Sequence, residues 1–192
     1  MTKRSRGRPR ADENRVSPAK ILSEALALLG SEGFENLTMR AVATRANVNP
    51  MTIYHHFHDR DGLIKALAES VYADVAAPPE GTVRSRIEGL LKAYRVKVVR
   101  YPGLTLAIFN RPALFPDHAR RITDNLTDLL KELGLSPSRA LLWTHILVDY
   151  THGAALAVAT DANGDGPQPA TTDREHANYE CAISELLDRL EA

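Results

Sequence analysis

The chain has 192 residues, of which 44% are apolar and 6% aromatic, and its formal net charge is zero. This size allows one or two domains with a hydrophobic core, and the charge excludes a protein that binds nucleic acid through overall positive charge. A single cysteine, Cys181, excludes an intramolecular disulfide and argues against a cysteine-based zinc site. No run of about 18 apolar residues could span a membrane. Because the N-terminus also lacks the apolar stretch of a signal peptide, we expect a cytoplasmic protein.

Charge is distributed unevenly along the chain. Residues 1–72 have 11 Lys or Arg against 8 Asp or Glu, whereas residues 73–192 have 13 against 16. A basic first part and an acidic remainder are typical of a DNA-contacting end joined to a separate body. Residues 1–16 contain six Lys or Arg and predict a disordered basic arm. Its Arg6-Gly7-Arg8-Pro9 segment is similar to the core of a minor-groove AT-hook, so the arm either contacts DNA or is a solvated tail.

Two short helices follow a longer first one. Ser17 and Pro18 predict the start of the first helix, which ends near Gly33. Thr38 predicts the cap of a second helix from Met39 to Arg45.

The third predicted helix has the features of a DNA-reading element. Asn47-Val48-Asn49 predicts a tight turn, because Asn tolerates left-handed backbone conformations, and Pro50 opens the helix. Ile53 and Phe57 face inward; the outward positions are Met51, Thr52, Tyr54, His55 and His58. This pattern predicts a helix-turn-helix whose second helix enters a DNA major groove. The clustered histidines have no acidic or cysteine partner at ligand spacing in this segment, so we expect no metal.

The remaining elements are also predicted to be helical. Asp59 predicts the cap of a fourth helix to about Val75, and the Pro- and Gly-containing residues 77–81 predict a domain boundary. Further helices are predicted from Thr82 to about Tyr101, Leu104 to Asn110, 116 to 133, Ser138 to Ala159 and about Asp173 to Leu190, with a polar loop at 161–172. The predicted fold class is all-α: a helix-turn-helix DNA-binding domain of three helices at residues 17–76 and a larger helical ligand-binding and dimerisation domain at 82–192.

Several of these segments carry a family resemblance. The segments are Gly33-Phe34, Leu37 to Arg40, Val48 to Phe57 and Leu63 to Leu67, and together they resemble the tetracycline repressor (TetR) family of bacterial transcription regulators. Arg111-Pro112 and Gly153 extend the likeness weakly to the tetracycline-repressor subclass. The resemblance implies an all-helical homodimer whose last two long helices pair with their mates in a four-helix bundle. Residues 140–158, apolar nearly all round, fit that role, although one intramolecular core would show the same pattern.

The resemblance also implies the DNA contacts. They lie on the second helix, on the start and outer face of the third and at the start of the fourth: Arg40, Asn49, Pro50, Met51, Thr52, Tyr54, His55 and Arg60. Thr52 can contact a base edge or a phosphate, Tyr54 a phosphate, and Arg60 the DNA backbone. A two-fold dimer implies a palindromic operator.

Residues 82–159 combine apolar walls with sparse polar groups, as in a small-molecule site and equally in an ordinary core. The candidate ligand-binding residues are Tyr94, Val98, Ile108, Phe109, Asn110, Leu114, His118, Leu141, Thr144, His145 and Val148. The pattern allows His118, His145 and His152 to face either a pocket or the core. Ala76 and Ala107 stand where the tetracycline repressor has pocket histidines, so a magnesium–tetracycline inducer is not expected, nor is any cofactor or metal.

The predicted function is a ligand-responsive DNA-binding transcription regulator. We expect a repressor that binds a palindromic operator as a dimer and is released by a small-molecule inducer. An enzyme is disfavoured because no Ser-His-Asp, P-loop or Rossmann pattern is present. A nucleoid-type DNA binder would need more positive charge and would not explain the acidic helical body.

Overall fold

The computed structural model describes residues 16–111, 115–161 and 173–191, and the regular structure within these ranges is entirely α-helical. The helices there are α1 (Pro18–Glu32), α2 (Met39–Arg45), α3 (Pro50–Phe57), α4 (Arg60–Tyr72), α5 (Val83–Arg100), α6 (Pro102–Phe109), α7 (Asp117–Glu132), α8 (Pro137–Asp161) and α9 (Asp173–Glu191). The predicted all-α class is confirmed. The predicted basic arm, except for Val16, and residues 162–172 of the predicted loop lie outside the described residues.

The first helices begin at the predicted residues because polar side chains cap their free N–H groups. Ser17 Oγ accepts a hydrogen bond from Lys20 N at 3.3 Å, and Thr38 Oγ1 accepts one from Ala41 N at 3.1 Å. Asn49 Oδ1 accepts from Met51 N at 2.9 Å. Such caps supply the acceptors that the first turn of a helix lacks, so they fix where each helix starts.

Helix α4 ends at Tyr72, three residues before the predicted end at Val75. The carbonyl oxygens of Ala73 and Val75 instead accept hydrogen bonds from Arg121 of α7, at 2.8 and 3.5 Å. A distant arginine therefore satisfies backbone groups that a longer helix would have used, and this interaction could not be read from the local sequence.

Helices α1 to α4 form the N-terminal unit. Ile21, Val42, Ile53 and Leu63, one from each helix, are fully buried in its centre. Asn47 takes the predicted left-handed conformation, with φ of 53°, in the turn between α2 and α3. This turn sets the angle at which α3 leaves α2, with Ile53 pointing inward and the opposite face of α3 pointing to solvent.

Helices α5 to α9 form the body. Helix α9 is held on α5 by Arg84, which donates to the carbonyl oxygen and hydroxyl of Ser184 at 2.9 and 2.8 Å and pairs with Asp188 at 2.7 Å. Tyr179 of α9 is hydrogen-bonded to Thr151 of α8 at 2.7 Å. Among the helices described, none is long and apolar enough to cross a membrane.

The two parts are packed together rather than joined by a bare linker. Their buried apolar side chains form one cluster that continues from α1 to α9. Gly103 of α6 lies so close to the α1–α2 connection that an added Cβ would be 2.4 Å from the Cβ of Phe34. Because of this close contact, a movement of α6 would displace the α1–α2 connection.

Candidate functional site

The outer face of α3 exposes large side chains that a folded protein usually buries. Met51 is 69% exposed and Tyr54 is 42% exposed, while Ile53 and Phe57 hold the inner face against the core. Met51 also lines a groove with Asn49, Thr52 and His55, which were selected from the sequence. A short helix presented in this way has the shape of an element that enters a major groove.

The groove also contains side chains that the sequence reasoning did not select. Asn47 and His56 line it, and His56 is half-buried with its ring 5.4 Å from that of His55. Val16, the first described residue, lines it as well. Of the other predicted DNA contacts, Arg40 on α2 and Pro50 at the start of α3 are exposed.

Arg60, which the sequence predicts to contact the DNA backbone, is partly buried and hydrogen-bonded to the α1–α2 connection. Its Nε donates to the carbonyl oxygen of Leu37 at 3.1 Å and its Nη2 to that of Phe34 at 3.4 Å. The guanidinium carbon also lies 4.9 Å from the centre of the Phe34 ring. Arg60 therefore ties α4 to the α1–α2 connection through two of its five N–H donors.

The body contains a cavity of about 410 Å³ enclosed by α4 to α8. This volume lies within the range of ligand sites. The residues that line it are Tyr72, Tyr94, Ile108, Phe109, Phe115, Ala119, Arg120, Ile122, Thr123, Asp124, Thr127, Leu141, Thr144, His145, Val148, Asp149 and His152.

The cavity includes seven of the eleven residues selected from the sequence: Tyr94, Ile108, Phe109, Leu141, Thr144, His145 and Val148. Val98 is fully buried but outside the lining, Asn110 is exposed beyond the end of α6, and Leu114 lies outside the described residues. The part of the cavity wall that α7 contributes was not predicted from the sequence. Its members Ala119, Ile122 and Thr123 recur at helical spacing, a signal that could have found them.

His118, also selected, links two helices instead of lining the cavity. Its Nδ1 lies 2.8 Å from the backbone oxygen of Glu69 on α4 and 2.8 Å from the Oε2 atom of the same residue. The Glu69 carboxylate also accepts from the backbone N–H groups of Asp117 and His118, at 2.7 and 3.0 Å. A side chain of α4 therefore caps the N-terminus of α7, where a negative charge is favourable.

The inner end of the cavity is built around His152. Its Nε2 is hydrogen-bonded to the hydroxyl of Tyr94, and the Phe109 ring meets the imidazole edge-on at 4.5 Å. Burial lowers the pKa of His152 to about 4, so the ring is uncharged at neutral pH. Burial also raises the pKa of Tyr94 well above its ordinary value, and the nearby Tyr72, Asp149 and Tyr179 add to this effect.

Tyr72 connects this inner end to the N-terminal unit. It belongs to α4, is 1% exposed, and its hydroxyl is 3.0 Å from Thr105 Oγ1 of α6. Its ring lies 5.7 Å from that of Tyr94. A molecule that filled the cavity would touch the helix that follows α3, and its binding could alter the position of α3.

We expect Glu69→Ala to destabilise the junction of α4 and α7. The change removes both acceptors from the first turn of α7, which should lower the free energy of unfolding by about 1–2 kcal/mol, measured by urea denaturation. Glu35→Ala, at an exposed carboxylate of the α1–α2 connection, is the matched control and should change it by less than about 0.5 kcal/mol. Equal effects of the two variants would contradict the capping role of Glu69.

Comparison with known proteins gives consistent matches over both parts of the chain. The family model of bacterial regulatory proteins of the tetR family matches residues 21–67, and the model of the tetracyclin repressor-like C-terminal domain matches residues 75–187. The class E tetracycline repressor protein of Escherichia coli is 29% identical over 147 residues, which are 74% of this chain and 68% of that protein.

Solved structures show the same fold. A TetR variant from Acinetobacter baumannii AYE in complex with minocycline has a TM-score of 0.74 at 23% identity, covering 93% of this chain and 99% of that one. BioQ with its double-stranded DNA operator has a TM-score of 0.74 at 19% identity, covering 92% and 99%. At these sequence identities the similarity establishes the helical fold. It does not transfer the ligand or DNA binding of those proteins to this chain.

Proposed function

We propose, from the premise that this chain belongs to the TetR family of bacterial regulatory proteins, that it is a repressor released from its operator by a small molecule. The observation that carries the proposal is the shared helix α4: it follows the exposed α3 and also supplies Tyr72 to the cavity wall. One helix thus belongs to both candidate sites. We assign the protein a regulatory and not a catalytic role, in the cytoplasm, where operator DNA is found.

Operator reading is assigned to the outer face of α3 and its surroundings. Met51, Thr52 and His55 would face base edges in the major groove, while the Tyr54 hydroxyl would bind a phosphate. Arg40, Asn49 and Pro50 would contribute at the margin of the same surface. Arg60 would act mainly by holding α4 against the α1–α2 connection.

A homodimer is supported by apolar side chains that a single chain leaves exposed on α8. Leu142 is 56% exposed and Ile146 is 37% exposed, one helical turn apart. Such a stripe is unfavourable in water and is typical of a helix that packs on a partner. Pairing of α8 and α9 with their mates would build a four-helix bundle. The resulting two-fold axis requires a palindromic operator.

Release is assigned to a shift between two arrangements of α4. A ligand that fits the cavity in only one arrangement would favour that arrangement by its difference in affinity for the two. The N-terminal unit, including α4, contacts the body through Tyr72, Glu69 and Gly103. We place the domain boundary at residues 77–81, where the chain leaves α4 for α5.

The proposal is tested by selecting binding sites from a random DNA duplex library with the intact protein. We expect a two-fold symmetric sequence, bound by Tyr54→Phe about five- to tenfold more weakly, because one hydroxyl contact to a phosphate is lost. Binding is measured by fluorescence anisotropy, and the oligomeric state by analytical ultracentrifugation. Tyr150→Phe removes a hydroxyl from α8 in the body and serves as the control. Recovery of no preferred duplex, or equal affinity of both variants, would refute the assignment.

A further inference from the structure

We infer that the cavity takes an uncharged, largely aromatic molecule whose buried end carries an oxygen that accepts a hydrogen bond from Nδ1 of His152. The inference rests on the proposed function, because it specifies the ligand of the cavity through which release would occur. Its basis is a buried polar atom without a partner, on a residue that lines a cavity large enough for a ligand.

His152 Nδ1 is that atom. It is fully buried and has no hydrogen-bond partner within the described protein, although the residue itself lines the cavity and is 7% exposed. A buried polar nitrogen without a partner costs about 1–3 kcal/mol relative to one that is hydrogen-bonded. Such an atom is therefore a site at which a ligand gains affinity by supplying the missing group.

The partner of the other ring nitrogen indicates which group is missing. Nε2 is held by the Tyr94 hydroxyl. A phenol is a good donor and a neutral imidazole nitrogen a good acceptor, so the favoured arrangement has Tyr94 donating to Nε2 and the proton of the imidazole on Nδ1. Nδ1 is then a donor, and it calls for an acceptor oxygen such as that of a ketone, an amide or an ether.

The walls around this donor determine the shape of the molecule. Tyr72, Tyr94, Phe109 and Phe115 contribute aromatic surfaces, and Ile108 and Ile122 contribute aliphatic ones. Within a cavity of about 410 Å³, these rings favour a flat molecule of two or three fused rings over a long flexible chain.

The charges around the cavity favour an uncharged ligand. His152 is neutral, and the charged lining residues Arg120, Asp124 and Asp149 are all exposed to solvent. An anion placed beside His152 would lose its hydration without gaining a cation, and Asp149 would add repulsion. A cation at the same place would face the N–H group of His152 Nδ1, whose positive end repels it.

Three probes of the same shape test the inference: 2-acetylnaphthalene, 2-isopropenylnaphthalene and 2-naphthoate, measured by equilibrium dialysis against the full-length protein. The first has a neutral acceptor oxygen, the second replaces that oxygen by carbon, and the third is an anion. We expect the acetyl compound to bind most tightly. We also expect its advantage over the isopropenyl compound to fall by about tenfold in His152→Phe, which removes the donor.

Two further variants keep the result interpretable if His152→Phe folds poorly. His152→Gln retains a donor and should restore part of the preference, whereas His176→Phe, the same substitution on α9, should leave it unchanged. Circular dichroism checks the helical content of each variant. The inference is overturned by an unchanged preference in His152→Phe, by tightest binding of the naphthoate, or by no binding of any probe up to its solubility limit.

Operator binding is measured on the same preparations with the duplex obtained by selection. If that duplex is bound but the probes show no preference that depends on His152, the ligand class is wrong and the repressor assignment stands. If no duplex is bound specifically while the preference is present, the ligand class stands as a property of the cavity and the proposed function fails.

Discussion

Replacing Arg4, Arg6 and Arg8 with Gln is expected to weaken DNA binding by about 100-fold at physiological salt. Each phosphate contact that is lost should reduce the slope of log K against log salt by about 0.9, and three such losses amount to about two orders of magnitude near 0.15 M salt. The measurement is a salt titration of binding to the selected duplex. The expected change in slope is about 3.

The expectation follows from how little positive charge the rest of the DNA-binding unit offers. Residues 1–15 have six Lys or Arg and two Asp or Glu, a net charge of +4, whereas residues 16–72 have five and six, a net charge of −1. Arg45 is paired with Glu24 at 3.4 Å, and Arg60 donates to backbone carbonyl oxygens. A surface with so few uncommitted cations needs another source of charge to bind a polyanion.

The chain enters α1 beside the exposed face of α3. Val16, which joins the arm to α1, lines the same groove as Met51 and His55. Fifteen residues can span at most about 50 Å, more than one turn of B-DNA, so the arm could reach a minor groove next to the operator. Replacing Lys92, Lys131 and Arg189 of the body with Gln changes the net charge equally and is the control. If both triple variants lose the same affinity, overall charge and not the arm is responsible.

The DNA-binding unit could be predicted from the sequence because its signals are local. Ser17, Thr38 and Asn49 cap helices within three residues of themselves, and Asn47 forms its turn by its own backbone preference. Periodicity alone placed Ile53 and Phe57 inward and Tyr54 outward. The residues that carry the family resemblance, Leu37 to Arg40 and Val48 to Phe57, belong to the same segment.

The cavity was predicted only in part because its walls depend on packing between distant helices. His152 was left open between pocket and core, and the structure makes it both buried and part of the lining. His118 was selected as a polar residue near the pocket, but Glu69, 49 positions earlier, binds it at the α4–α7 junction. Nothing in the residues next to His118 or Arg60 indicates the partners that occupy them.

Gly62→Ala adds only one methyl group, but we expect it to disrupt the DNA-binding unit strongly. A Cβ at this position would lie 2.0 Å from the carbonyl oxygen of Phe57, the last residue of α3. The same turn includes His58 at φ of 65° and the cap in which Gly62 N donates to Asp59 Oδ1 at 2.7 Å. Because the clash involves backbone, α3 and α4 must separate, at a cost of about 3 kcal/mol or more in the free energy of unfolding.

Gly30→Ala is the matched control, since the same methyl group would meet nothing within 4 Å on the exposed face of α1. That change should stabilise the helix by about 0.5–1 kcal/mol, because glycine loses more backbone entropy on folding than alanine does. Urea denaturation of both variants gives the two values. Opposite signs are expected, and destabilisation of equal size in both would contradict the role of the close contact at Gly62.

Gly62→Ala should also separate the two candidate sites. It lies at the α3 end of α4, while Tyr72 meets the cavity at the other end, three turns away. We therefore expect operator affinity to fall at least tenfold, while 2-acetylnaphthalene still binds the cavity with its affinity nearly unchanged. Loss of both activities would mean that the whole chain unfolds as one unit. Loss of DNA binding alone would show that the close packing of α3 on α4 at Gly62 is needed for DNA binding and not for the cavity.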